Sequence, residues 1–251
     1  MLRHLALLIV VVWIVLSAVP AEAAITRVDF ANCEADAATT TMDCTLTVSG
    51  TNPALFCGLG INNNTDSNPT ARWDPAGANE SLVQLVESGA AGGRYLTVFR
   101  LAPPTAVTDG IVRFSDMDAG LTETATCVSY SDVDGADPED TFDLTTCAAA
   151  VSHNTGTITS PAGDMILGWI LIHGTGTAPT ETGDSVLITS NDTANITVGA
   201  AEDLDGADDD LNWAWSGSTT CRSYAVNVNA AGGGAPAGPP AGSLMLIGVG
   251  K

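Results

Sequence analysis

Cys44-Thr45-Leu46-Thr47-Val48-Ser49 alternates apolar and polar side chains without a break. A period of two places Cys44, Leu46 and Val48 on one face of an extended chain and the hydroxyls on the other, the signature of a half-buried β-strand. Outward from it, β-branched segments recur at 25–32, 54–61, 82–87, 94–101, 109–115, 122–131, 164–173, 185–189, 195–199 and 221–229, divided by Gly, Pro, Asn, Asp and Thr clusters. Met165 to Ile172 is almost continuously apolar, and its isoleucines and flanking Gly163 and Gly174 favour a central strand covered on both faces. Long amphipathic helices are missing from the pattern after residue 23, and Ala/Thr-rich 35–41 and 145–151 read as loops or single helical turns. The chain therefore reads as all-β, an antiparallel β-sandwich of the jelly-roll or immunoglobulin-like kind.

Both ends differ from this pattern. Arg3, an apolar run from Leu5 to Val19, and Ala21-Glu22-Ala23 before Ala24 match an export signal with a small-residue cleavage site, so residues 1–23 read as a signal peptide. That run is about 15 residues, short of the roughly 20 that a membrane-spanning helix needs, so no integral membrane protein is expected after cleavage. Residues 24–229 form the predicted sandwich domain. Residues 230–242, Ala-Ala-Gly-Gly-Gly-Ala-Pro-Ala-Gly-Pro-Pro-Ala-Gly, cannot bury a core and read as a flexible linker. They lead to a short apolar tail, 243–251, suited to adding a strand to a partner and so to self-assembly.

The 251 residues carry a net charge of −21, and Lys251 is the only lysine. Nucleic-acid binding requires basic clusters that this composition lacks, whereas so acidic a surface attracts cations. Six cysteines, Cys33, Cys44, Cys57, Cys127, Cys147 and Cys221, follow the export signal. An even number in an exported chain predicts disulfides. Cys33 with Cys44 is the best pair, as a staple across a hairpin; Cys127 with Cys147 and Cys57 with Cys221 would complete the set. Secretion to the cell surface, the extracellular space or the periplasm follows.

Arg94-Tyr-Leu-Thr-Val-Phe-Arg-Leu-Ala-Pro103-Pro104, Cys127-Val-Ser-Tyr-Ser-Asp-Val133-Asp134 and Thr157-Ile-Thr-Ser-Pro161-Ala-Gly163-Asp164, with Tyr224-Ala-Val-Asn-Val228 as a closing strand, carry a family resemblance. The chain resembles, over roughly residues 54–229, a loosely defined group of exported β-sandwich domains of environmental bacteria that are likened to lectins. The resemblance implies fold and export, and its motifs are structural, so it assigns no functional residue.

Two loops concentrate carboxylates around an Asp-Gly turn, the hard oxygen ligands that calcium favours. Asp203, Asp205 and Asp208 are the first choice as metal ligands, because Trp213 and Trp215 follow closely; Asp132, Asp134 and Asp137 are the second. Neither loop has the carboxylate spacing of an EF-hand. Calcium is the one cofactor suggested. Trp213 and Trp215, two residues apart, share a face if 211–217 is a strand, and would either stack on a sugar or fill the core. Trp73, in what reads as a loop, is the better exposed contact. His153 and His173 follow the export signal without a nucleophile motif, so an enzyme is not expected. Asn63, Asn79, Asn191 and Asn195 open glycosylation sequons.

These features predict an exported, non-enzymatic module for surface recognition or adhesion, binding carbohydrate or a surface protein and steadied by calcium. Two alternatives come from other classes: a structural subunit of an envelope layer, filament or virion, and an exported glycoside hydrolase using a carboxylate pair.

Overall fold

The structure is a computed structural model that describes residues 24–35, 39–62, 68–88, 93–117, 123–161, 163–174, 179–181, 186–192, 196–203 and 210–232. Residues 1–23, expected to be a signal peptide, and residues 233–251 lie outside them. The chain is all-β, with antiparallel sheets packed against one another. Three sheets form the stack, so the sandwich carries one layer more than a simple pair.

The middle sheet has the order β1 (Thr26–Ala35), β9 (Glu123–Ser131), β3 (Ala54–Ile61), β7 (Tyr95–Leu101), β6 (Val83–Glu87). On one side lies a small sheet of β2 (Met42–Val48), β8 (Val107–Ser115), β4 (Thr70–Trp73) and β5 (Glu80–Ser81). On the other lies a large sheet of β10 (Glu139–Asn154), β15 (Asn212–Val228), β11 (Met165–His173), β14 (Ile196–Asp203) and β13 (Val186–Asp192), with β12 (Thr180–Glu181) pairing to β15.

Strand chemistry follows this layering. β2 buries Met42, Cys44, Leu46 and Val48 and exposes the residues between, as its alternation predicts. β3 and β9 are buried along their full length, because each face meets a different sheet. Leu55, Cys57, Leu59 and Ile61 point to the small sheet, while Ala54 and Phe56 point to the large one. Two hydroxyls of β9 bond to neighbouring strands: Thr124 Oγ1 donates to the Cys33 carbonyl and Ser129 Oγ to the Thr47 carbonyl. A third apolar cluster, including Ile166, Ile170, Leu211, Trp213 and Trp215, covers the far face of the large sheet.

Gly58 and Gly60 of β3 face the large sheet, and a Cβ on Gly58 would stand 2.2 Å from Trp169 Cδ1. The indole thus lies where a side chain is missing, and its Nε1 donates to the Thr126 carbonyl at 3.3 Å. Here a glycine inside a strand marks a close approach of two layers.

Cys33–Cys44 is the pair expected from sequence, but it joins the middle sheet to the small sheet instead of stapling a hairpin, since β1 pairs with β9 and β2 with β8. The other two pairs differ from expectation: Cys57 bonds Cys127 and Cys147 bonds Cys221. Strand register decides this, since Cys57 lies directly opposite Cys127 between β3 and β9, and Cys147 opposite Cys221 between β10 and β15. Cys127 and Cys147 belong to different sheets, as do Cys57 and Cys221. The Ala/Thr-rich 145–151 stretch is a further correction: it lies within strand β10 and is neither a loop nor a helical turn.

Candidate functional site: a cleft between two sheet edges

β4 buries Ala71 and Trp73 and turns Thr70 and Arg72 outward. The chain reverses through 74–79, where Asp74 accepts backbone bonds from Gly77 and Asn79 at its carbonyl and from Ala78 at Oδ2. A Cβ on Gly77 would lie 2.0 Å from Asp74 Oδ2, so a side chain there would displace the carboxylate that accepts from Ala78. β5 returns beside β4, and its Glu80 accepts from both the backbone NH and the hydroxyl of Thr105 at 2.8 Å. The chain then crosses at Leu82 from the small sheet to β6 of the middle sheet.

This crossing leaves a cleft of about 480 Å³, within the range of small-ligand sites. Buried Phe99 and Leu82 supply apolar surface, and Arg72, Gln84, Ser81, Ser115, Thr70 and Asp116 supply polar groups. Asp116 Oδ2 accepts from Thr70 Oγ1 at 2.9 Å, and Arg72 Nη1 donates to Asn79 Oδ1 at 3.2 Å. These contacts hold one guanidinium and one carboxylate on the walls. One charge of each sign gives a near-neutral cleft on a chain of net charge −21. Its chemistry suits a neutral ligand with many hydroxyls, which can accept from Arg72 and Gln84 and donate to Asp116.

The tryptophans chosen from sequence lie elsewhere. Trp73 is 0% exposed and belongs to β4, not to a loop. Its Nε1 donates to the Thr105 carbonyl at 2.8 Å, and its ring occupies the space above Gly110. Trp213 and Trp215 do share a strand face, but they point into the core at 1% and 7% exposure. None of the three presents an open stacking surface. Arg72 was not read from the sequence: with the indole of Trp73 turned inward its neighbour turns out, but β4 is too short to show that alternation beforehand. Gln84 and Asp116 carried no signal either, since only the folded chain brings them beside Arg72.

Of the predicted metal ligands, Asp205 and Asp208 lie outside the described residues. Asp203 is buried at the end of β14. Beside it, Glu202 forms a 3.0 Å ion pair with Arg27 and accepts from Tyr130 Oη at 2.6 Å. Burial raises the Glu202 carboxyl above its ordinary range, opposed by the Tyr130 hydrogen bond and by Arg27. In the other loop, Asp134 Oδ1 accepts from the backbone of Ala136 and Asp137, and Asp132 Oδ2 from Ser131 Oγ. Asn229 binds the Asp137 carbonyl, and Ala231 NH the Asp132 carbonyl, so the loop is fastened to the end of β15. These bonds give the 132–140 loop a local structural role of its own.

His153 Nε2 lies 2.8 Å from both Thr145 Oγ1 and Ser223 Oγ. Ser223 is fully buried, and Asp143 Oδ2 accepts from Gly156 NH, so the group ties β10 to β15 and to residue 156. Burial lowers the His153 pKa, partly opposed by Asp143. Cys147 and Cys221 also approach His153, but their sulfurs are bonded to each other and are not thiolate ligands. A second cavity, lined by Arg94, His173 and Arg222, holds about 10 Å³, room for roughly one water. No protein-family model, curated protein or solved structure matches the chain.

Proposed function

We propose that the chain is an exported, non-enzymatic recognition module that binds a neutral glycan in the cleft between β4–β5 and β6–β7. The observation that carries this reading is the lining of that cleft: one cation, one carboxylate and several hydroxyl or amide groups over apolar surface. Three disulfides agree with an oxidising compartment, and among the described residues no helix is long and apolar enough to cross a membrane. Hydrolysis of a glycoside ordinarily uses two carboxylates, and the described lining offers Asp116 alone. That favours binding over cleavage. The reading places the ligand away from the three buried tryptophans and from both acidic loops, so calcium would act on the fold rather than in the cleft.

The test is binding of the oxidised protein to immobilised neutral, sialylated and sulfated glycans, in calcium and again in chelator. The expected result is retention of neutral glycans in both conditions. Retention of charged glycans alone would overturn the cleft assignment, and loss of all binding in chelator would move the site to the acidic loops. Release of shortened oligosaccharide would instead establish the hydrolase.

A further inference from the structure

β10 is the outer strand of the large sheet, and two alternating residues on it, Phe142 and Leu144, are 63% and 37% exposed. Phe142 stacks on Tyr224 at 5.8 Å, which fixes the ring as a flat apolar surface. Among the described residues β10 pairs with β15 alone, so its other edge is open. An open edge beside exposed apolar side chains is a site for an added strand.

We propose that residues 243–251 of the same chain occupy this place, lying along the free edge of β10 and covering Phe142 and Leu144. The route is short. Val228 lies opposite Glu139, three residues from Phe142, and Ala230 forms a bridge with Val133. The described chain therefore leaves the body beside the start of the strip. Residues 233–242 follow, and ten residues can span up to roughly 33 Å, enough to reach any part of 140–146. Composition matches as well: Ser243-Leu-Met-Leu-Ile-Gly-Val-Gly-Lys251 has no carboxylate side chain and contains the chain's only lysine. The strip it would cover begins two residues after Asp140. A tether this short gives a local concentration on the order of millimolar, which favours the same chain over a second copy. The strip is on the large sheet and the ligand cleft on the opposite side of the middle sheet, so this docking stands independently of the glycan reading.

The experiment compares the full chain with a Leu244→Asp, Leu246→Asp variant and with Phe142→Ser, by hydrogen exchange across 139–146. A photo-crosslinking residue at position 246 identifies the contact. The expected result is at least tenfold slower exchange at the free-edge amides of β10 in the full chain than in either variant. Crosslinks should join 246 to β10 peptides within monomers, independent of protein concentration. Equal exchange in all three proteins would overturn the proposal. So would crosslinks to another surface, or crosslinked dimers, which would assign the strip to a second copy.

Discussion

Two glycines in β3 set how closely the middle and large sheets approach. Gly58→Ala would drive a methyl into Trp169, and overpacking of this kind costs about 1–3 kcal/mol. The expected outcome is a lower denaturant midpoint, partly restored when Trp169→Leu is added; an unchanged midpoint for the single variant would contradict the packing. His153 gives a prediction in pH. Its folded pKa is lowered from 6.5, so the native state favours the neutral ring, and the unfolded chain binds the proton more readily. Its stabilising contribution is full above 6.5 and declines as pH falls below that value. Glu202 acts in the opposite sense: its raised pKa makes the native state the better proton acceptor, so acidification through its folded pKa relieves the cost of the buried charge. Stability measured from pH 7.5 down to 5.5 should fall less steeply in His153→Gln than in the natural protein, and identical slopes would refute this assignment. Residue identity was often legible from sequence where alternation was strong, as in β2. Trp73 was misjudged because four residues are too few for a clear period, and neighbouring Asp74-Pro75 looks like a loop.

At the scale of elements, β10 and β15 form the longest ribbon, and the first half of each escaped or weakened the sequence pattern. Glu139 to Asn154 begins with acidic residues and continues through Ala148-Ala149-Ala150, neither of which carries strand preference. Its conformation is imposed by pairing with β15, whose 221–228 half is apolar and was recognised. The same long-range pairing explains the disulfides, because no local spacing tells which strands become neighbours. Peptide mapping of the oxidised protein should recover 33–44, 57–127 and 147–221. Recovery of 127–147 or 57–221 would contradict the strand register. Removing the third bridge by Cys147→Ala with Cys221→Ala should lower stability by about 4 kcal/mol on loop-entropy grounds for so long a loop. Calorimetry or urea unfolding measures it, and no change would mean that the ribbon is held by its hydrogen bonds and packing alone.

For the whole molecule, a sandwich was legible but its third layer was not. Thr124 and Thr126 lie on one face of β9 and Ser129 and Ser131 on the other, polar residues that suggest contact with water, yet all are buried because a sheet covers each side. Small hydroxyls tolerate this when strand carbonyls are within reach. The layering also creates the cleft proposed as the ligand site, which lies where the chain passes from one sheet to the next. The central claim is that this cleft binds the ligand, and calorimetric titration of a retained neutral oligosaccharide into the natural protein and Arg72→Ala tests it most directly. The account predicts at least tenfold weaker binding in the variant, about 1.4 kcal/mol, with an unchanged melting temperature. Equal affinity in the two proteins would contradict it.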